Sequence, residues 1–310
     1  MNCATSSAAA NDLQSDTQCW ICGAIGALHW KDRSIQRPLE PEDLRITDYR
    51  YGATLSLLRC GECGFIFSND KEVDELVSLY EKMSDPGYEE SQEGRAQQMR
   101  WLLSKARKAN PSARSLLDVG AGSGLLVAEA KCFSFNAIGV EPSHSLVKLG
   151  RSLYQVDLLQ GVFPHPMLSN HRFDVIFLVD IIEHVSTPLE MLRHCAAALA
   201  PQGIIILVTP NVGSLVARLL GQRWWHFRPA HVGYFNHSSL LKAVERAGLR
   251  AVEHFSAKWF FRVSYLAERL ESYLPVSEFN RLCSKMAALR WLYDRVIPLN
   301  LHDSIVLVLK

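Results

Sequence analysis

Apolar and polar positions change rhythm at Pro111. From residue 115 onward, short apolar runs alternate with amphipathic stretches. The runs predict strands at 115–119, 137–140, 157–160, 173–179 and 203–209. Between them, apolar residues spaced three and four apart predict helices over 125–133, 145–153, 188–200 and 239–247. The runs VIFLV and IIILVT carry no polar alternation, which suits strands covered by helices on both faces. At Thr187-Pro188-Leu189-Glu190 the chain sets an N-cap Thr, a Pro at the first helical position and a capping-box Glu, and Gly248 stands where a helix stops. A further strand near 250–255, helical segments at 264–273 and 278–296, and a last strand at 304–309 complete the pattern. Strand–helix alternation of this kind predicts an α/β fold: a doubly wound, Rossmann-like, mostly parallel sheet of seven strands.

Upstream of Pro111 the chain divides differently. Residues 1–17 lack periodicity and read as a disordered leader. Residues 18–70 form a cysteine-bounded module, with strands expected at 53–58 and 65–67. A helical linker or lid covers 71–112, with helical patterns near 73–80 and 95–109. The main domain takes 113–310, with a helical insertion at about 262–298.

The module is defined by Cys19-x-x-Cys22 and Cys60-x-x-Cys63, separated by 37 residues, with a glycine after each pair (Gly23 and Gly64). Four thiolates in two knuckles predict a closed, structural Zn²⁺ site of the zinc-ribbon kind, with no open coordination position for catalysis; an iron–sulfur site or reduced free thiols are the alternatives. Cys3, Cys132, Cys195 and Cys283 are scattered singly, so the eight cysteines do not read as a disulfide framework. With 33 basic against 32 acidic residues the net charge is +1, which weighs against gripping nucleic acid by bulk charge. No apolar run reaches membrane-spanning length, and the first residues lack a signal-peptide pattern, so a cytoplasmic protein is expected.

The most informative segment is Leu116-Leu117-Asp118-Val119-Gly120-Ala121-Gly122-Ser123-Gly124. A buried strand runs into three glycines at alternate positions and then a helix, so a ligand can lie against bare backbone beside free N–H groups. The dinucleotide pattern needs a third glycine where Leu125 stands, which counts against a nicotinamide cofactor. Glu141 closes the next strand, where an acid accepts hydrogen bonds from both hydroxyls of a ribose.

LLDVGAGSG, IGVEPS, FDVIFLVDIIEHV and LAPQGIIILVTPN, in this order, resemble the class I S-adenosylmethionine-dependent methyltransferases over roughly residues 115–255. The resemblance implies that Gly120, Gly122 and Gly124 form the loop against the methionine part of the cofactor, with Asp118 positioning its amino end. It further implies that Glu141 holds the ribose hydroxyls, Gly161 and Val162 flank the adenine, and Asp180 faces the cofactor. The CWICG and RCGECGF segments ahead of this core resemble a bacterial subgroup associated with glycan or secondary-metabolite pathways.

Two clusters supply acid–base chemistry. Asp180-Ile181-Ile182-Glu183-His184-Val185 follows the fourth strand, so that Glu183 and His184 either wall the active site or cap the next helix. Some related O-methyltransferases, for small RNAs and in the ubiquinone pathway, bind a divalent cation with such a segment. The second cluster, 224–235, holds two Trp, two His and a Tyr, with His226 and His231 as candidate bases. His231 is preferred, because the resemblance places a recurrent His before Tyr-Phe. Tyr80, Tyr88 and Arg95 sit in the expected lid, where Arg95 reads as a solvent-facing helix residue, with contact to an acidic substrate group as the alternative.

The expected function is methyl transfer from S-adenosylmethionine to a small-molecule or glycan-like acceptor, on oxygen. RNA methylation, C-methylation of a nucleotide sugar and a non-catalytic cofactor-binding scaffold are the alternatives.

Overall fold

The computed structural model describes residues 14–15, 17–47, 50–89, 92–271 and 291–310. Most of the leader and residues 278–290 of the last expected helix lie outside the described residues.

In chain order the elements are β1 (Gln14–Ser15), β2 (Ala27–Lys31), β3 (Leu57–Arg59), β4 (Ile66–Phe67), α1 (Leu76–Lys82), α2 (Gln92–Ala109), β5 (Ser115–Val119), α3 (Leu125–Ala130), β6 (Asn136–Glu141), α4 (His144–Tyr154), β7 (Leu158–Gln160) and β8 (Phe173–Val179). There follow α5 (Pro188–Ala197), β9 (Leu199–Pro210), α6 (Leu215–Leu220), β10 (Gly233–Tyr234), α7 (His237–Arg246), β11 (Ala251–Ser256), β12 (Trp259–Arg262), α8 (Val263–Glu271), β13 (Val296–Leu299) and β14 (Ser304–Leu309).

The seven-stranded sheet has the order β11-β14-β9-β8-β5-β6-β7. β14 runs antiparallel to β9 and β11, and the remaining pairs are parallel. From β5 the chain steps outward through β6 and β7, then returns to place β8 on the other side of β5. That reversal opens a crevice at the carboxyl ends of β5 and β8, where Gly120 and Asp180 stand.

The unbroken apolar runs have a direct cause in this architecture. Leu117, Ile176, Leu178, Ile205 and Leu207 face one way, toward residues of α5, α7 and the cysteine module. Leu116, Val175, Phe177, Ile204, Ile206 and Val208 face the other way, toward Leu102, Leu103 and Ala106 of α2. Both faces are covered, so neither can be polar. Each such side chain adds about 1.5–3 kcal/mol on burial.

Local differences from the expected elements have local reasons. Thr187 occupies the N-cap position of α5 without a side-chain cap bond, and only Pro188 at the first turn acts as expected. A reciprocal capping box forms instead at α7, between Asn236 and Ser239. The helix expected to reach 200 ends at Ala197, because Leu199 already pairs with Phe173 as β9 begins. The strand expected at 53–58 contracts to β3, and Gly248 adopts φ +79° as a helix stop requires.

The cysteine sheet is not isolated. It orders β1-β2-β3-β4-β10, and its last strand comes from the far end of the main domain. Gly233 pairs with Phe67 and Tyr234 with Ile66, while the Ser68 amide donates to the Val232 carbonyl at 2.9 Å.

Candidate active site

The glycine loop leaves β5 with Gly120, Gly122 and Gly124 at φ +73°, +56° and +79°, a region where a side chain is strained. Space adds a second restriction. A Cβ at Gly120 would meet Ile181 Cδ1 at 2.0 Å, and one at Gly122 would meet the Tyr88 hydroxyl at 2.0 Å. The bare backbone is therefore flanked by Ile181 from the end of β8 and by Tyr88 from the linker.

Glu141 ties the loop together. One carboxylate oxygen accepts the Gly122 amide and the other accepts the Ser143 amide, both at 2.8 Å. The Gly120 and Ala121 amides donate to the Val140 carbonyl at 2.8 and 3.0 Å. Burial pushes the Glu141 carboxyl up, and the two amide bonds oppose that shift. Asp118 is buried beside it, and desolvation together with the Glu141 charge raises its pKa to about 8. Gly161 joins the same edge, its amide donating to the Glu141 carbonyl at 3.0 Å, and Val162 beside it is exposed.

Asp180 directly follows β8 at φ +53°, and its amide donates to the Val208 carbonyl at 3.0 Å. Its Oδ1 is buried with no hydrogen-bond partner among the described residues. Burial, and then the charge of Asp303, raise its pKa to about 7.

Residues of the linker, Met83, Tyr88 and Glu89, contact the elements that border this crevice. The Ser143 hydroxyl donates to the Met83 carbonyl at 2.7 Å, and the Tyr154 hydroxyl donates to Glu89 at 2.5 Å. The Arg95 guanidinium stacks on the Tyr88 ring at 4.2 Å and donates to the Tyr88 carbonyl. Arg95 is therefore packed on Tyr88 rather than facing solvent.

A second group lies beyond Asp180. A short turn at Ile182–His184 carries Glu183 and His184, and the Val232 amide donates to the Glu183 carbonyl at 2.9 Å. That bond brings His231 alongside. The His184 and His231 rings stand perpendicular with centroids 4.6 Å apart, and one ligand-capable atom of each of Glu183, His184 and His231 lies within 4.8 Å of the others.

Hydrogen bonding assigns the His184 tautomer. His184 Nδ1 is 2.9 Å from the Ala230 carbonyl, which only accepts, so Nδ1 carries the proton and Nε2 the lone pair. The Tyr80 hydroxyl lies 2.7 Å from the same Nδ1. His231 Nδ1 is buried with no hydrogen-bond partner among the described residues. Glu183 accepts from the Thr209 hydroxyl at 2.9 Å on one oxygen, and its Oε1 has no partner among the described residues. Burial lowers the His184 pKa to about 4 and holds His231 well below its ordinary value. Both imidazoles are neutral near pH 7. Burial and the Asp180 charge hold the Glu183 carboxyl well above the usual range.

The Trp-rich segment separates into two roles. Trp224 is fully buried with Phe227 and Tyr234, whereas His226 Nε2 lies 3.6 Å from Asp303, which also accepts from Trp225 Nε1 at 3.1 Å. Thr209, Ile181 and Asp303 were not among the sequence candidates. Each reads locally as a strand end or a turn, and only the sheet's return path carries it to the crevice.

In the N-terminal module the Cys19 and Cys63 sulfurs are 3.6 Å apart, and those of Cys22 and Cys60 are 3.4 Å apart. All four lie within 4.8 Å of one another.

A family model described as a methyltransferase domain matches residues 91–254. The chain is 34% identical over 140 residues to a ubiquinone biosynthesis O-methyltransferase of Xanthomonas campestris pv. campestris (strain B100), covering 40% of this chain and 58% of that protein. It is 34% identical over 102 residues to the protein of that name from Caulobacter sp. (strain K31), covering 31% and 40%. The chain thus spans only about half the length of the curated relatives it matches. Among solved structures it is similar to a SAM-dependent methyltransferase from Archaeoglobus fulgidus, at 18% identity with a TM-score of 0.45, covering 68% of this chain and 94% of that one.

Proposed function

The chain belongs to the methyltransferase-domain family, and from that premise we propose that it transfers the methyl group of S-adenosylmethionine to a hydroxyl oxygen of a small-molecule or glycan-like acceptor. The observation that carries the cofactor reading is the Glu141 carboxylate, held between two backbone amides at the topological switch point beside bare glycine backbone. Each oxygen accepts one amide and keeps a second lone pair, which suits two ribose hydroxyls. Asp180, with its unpartnered buried oxygen, and Asp118 supply further acceptors along the same crevice. The family's cofactor brings an activated methyl group on sulfonium sulfur. The protein's work is then alignment, exclusion of water and removal of one proton.

His231 is the base in this reading. Its Nδ1 is buried with no partner among the described residues, its ring stands perpendicular to that of His184, and burial keeps it uncharged. Glu183 and His184 stand next to it and orient the acceptor hydroxyl. For His231→Ala, kcat is expected to fall by about 10²–10⁴-fold, with cofactor affinity kept within about twofold. Calorimetry beside initial rates separates the two. Equal losses in turnover and affinity would remove the base role.

A second reading has its own observation. Glu183, His184 and His231 each bring one ligand atom within 4.8 Å of the others, and Glu183 Oε1 and His231 Nδ1 have no partner among the described residues; with the carboxyl proton released on binding, this is a ligand set suited to a divalent cation that would lower the acceptor hydroxyl's pKa. Dialysis against EDTA distinguishes them. Activity that disappears and returns with Mg²⁺ or Mn²⁺ supports the cation, and activity that persists leaves His231 acting alone.

The four cysteines fit structural zinc. A tetrahedron with Zn–S bonds of about 2.3 Å has sulfur–sulfur edges of about 3.8 Å, and the observed 3.4 and 3.6 Å separations lie just inside that. All four positions are taken by sulfur, so the metal would hold the module together and take no part in transfer.

A further inference from the structure

We propose that His237 and His254 form a metal site for a borderline divalent ion such as Zn²⁺ or Ni²⁺, separate from the four cysteines and from Glu183, His184 and His231. Their Nε2 atoms are 3.1 Å apart, and the rings cross at 74° with centroids 4.3 Å apart. A good hydrogen bond between two ring nitrogens sets their axes nearly in line, which would hold the centroids farther apart than this. Two nitrogens on one metal, each at about 2.0–2.1 Å, span a tetrahedral edge of about 3.3 Å. The observed separation lies just inside that edge, as the sulfur separations do at the four cysteines. Both side chains are exposed, so an ion reaches them from solvent.

The two rings come from elements that are fixed independently of each other. His237 is the first residue of α7, directly after the capping residue Asn236, whose side chain also donates to the Gly64 carbonyl. His254 stands in β11 opposite Leu307 of β14. Burial, and then the charge of His237, lower the His254 pKa, so that ring is in the uncharged form that binds metal near pH 7. The positive end of α7 opposes a cation, so binding rests on the nitrogen–metal bonds, and oxygen-seeking Mg²⁺ and Ca²⁺ are excluded. Among the described residues no third thiolate, carboxylate or imidazole joins the pair within 4.8 Å. Water therefore completes the coordination, and the ion exchanges readily. Bound there, it clips the start of α7 to β11, the outermost strand of the seven-stranded sheet.

Calorimetric titration of the full chain, zinc-loaded at its cysteines and freed of excess metal, tests this independently of methyl transfer. Added Ni²⁺ or Zn²⁺ is expected to bind near pH 7 and to shift the ring-nitrogen NMR signals of His237 and His254, and saturating metal should raise the melting midpoint. His237→Asn and His254→Gln are each expected to lose about 10²-fold in affinity, because one nitrogen can no longer hold the ion beside the other. Far-UV circular dichroism should be unchanged in both. The same binding event should persist within about twofold in His231→Ala, since the two sites share no ligand. Absence of the event in the wild-type chain, undiminished affinity in either single variant, its loss in His231→Ala, or equal binding of Mg²⁺ would each overturn the proposal.

Discussion

Replacing Glu141 with alanine is expected to weaken binding of S-adenosylmethionine and S-adenosylhomocysteine by about 10²–10³-fold, because one side chain holds both the ligand and the loop that receives it. Its two oxygens accept the Gly122 and Ser143 amides, and both contacts are buried. Truncation leaves those N–H groups without their acceptor and removes the lone pairs proposed for the ribose. The Gly122 turn, at φ +56°, then loses the bond that pins it against the end of β6. Glu141→Gln keeps the shape and one carbonyl acceptor, so a loss nearer tenfold is expected. Calorimetric titration of both variants, beside thermal melting to show that they remain folded, measures the effect. An alanine variant that binds within about twofold of wild type would leave the cradle without its acid and undo the cofactor assignment.

Metal removal is the second large perturbation. The purified chain should carry one zinc per molecule by mass spectrometry under reducing conditions. Chelation, or Cys60→Ser, is expected to lower the melting midpoint by about 10 °C or more. The consequence should reach the reaction. β4 of the cysteine sheet pairs with β10, and the Asn236 side chain donates to the Gly64 carbonyl at 3.1 Å. Phe65 and Phe235 have ring centroids 4.7 Å apart. These contacts hold the segment that carries His231, whereas Glu141 and the glycine loop belong to β5, β6 and the turns after them. Loss of zinc should therefore depress turnover well before it weakens cofactor binding. A metal-free preparation with unchanged melting and rate would show that the four thiols need no ion.

Much of the proposed cofactor side was legible in the chain because its signals are local. Gly120, Gly122 and Gly124 announce a left-handed turn, and the apolar strand before them and the helix after them identify the switch point. Glu141 follows at the end of the next strand, within one strand–helix–strand unit. The cysteine pairs were legible for the same reason, since each knuckle is a four-residue motif. Two capping readings show where local inference fails. Thr187 had the right sequence and makes no cap bond, while Asn236, which was not singled out, forms a full capping box. Backbone angles around a cap depend on how the preceding segment arrives, and the capping residues alone do not specify them.

The acceptor side was the least legible. Glu183, His184 and His231 could be named one by one, but their convergence depends on the Val232 amide reaching the Glu183 carbonyl, and Thr209 joins them from another strand. Arg95 gave the opposite lesson, since a position that reads as solvent-facing is stacked on Tyr88.

By itself the sequence determined the α/β class, the glycine turn with its acidic partner and the four-thiolate set, because each arises from neighbours in the chain or from a repeating pattern of burial. Tertiary structure alone decided that Glu183, His184 and His231 face one another, that His184 Nδ1 bonds the Ala230 carbonyl, and that a strand from beyond β9 completes the cysteine sheet. Those features depend on distances between residues far apart in the chain, and in a closely packed interior such distances are set by everything in between.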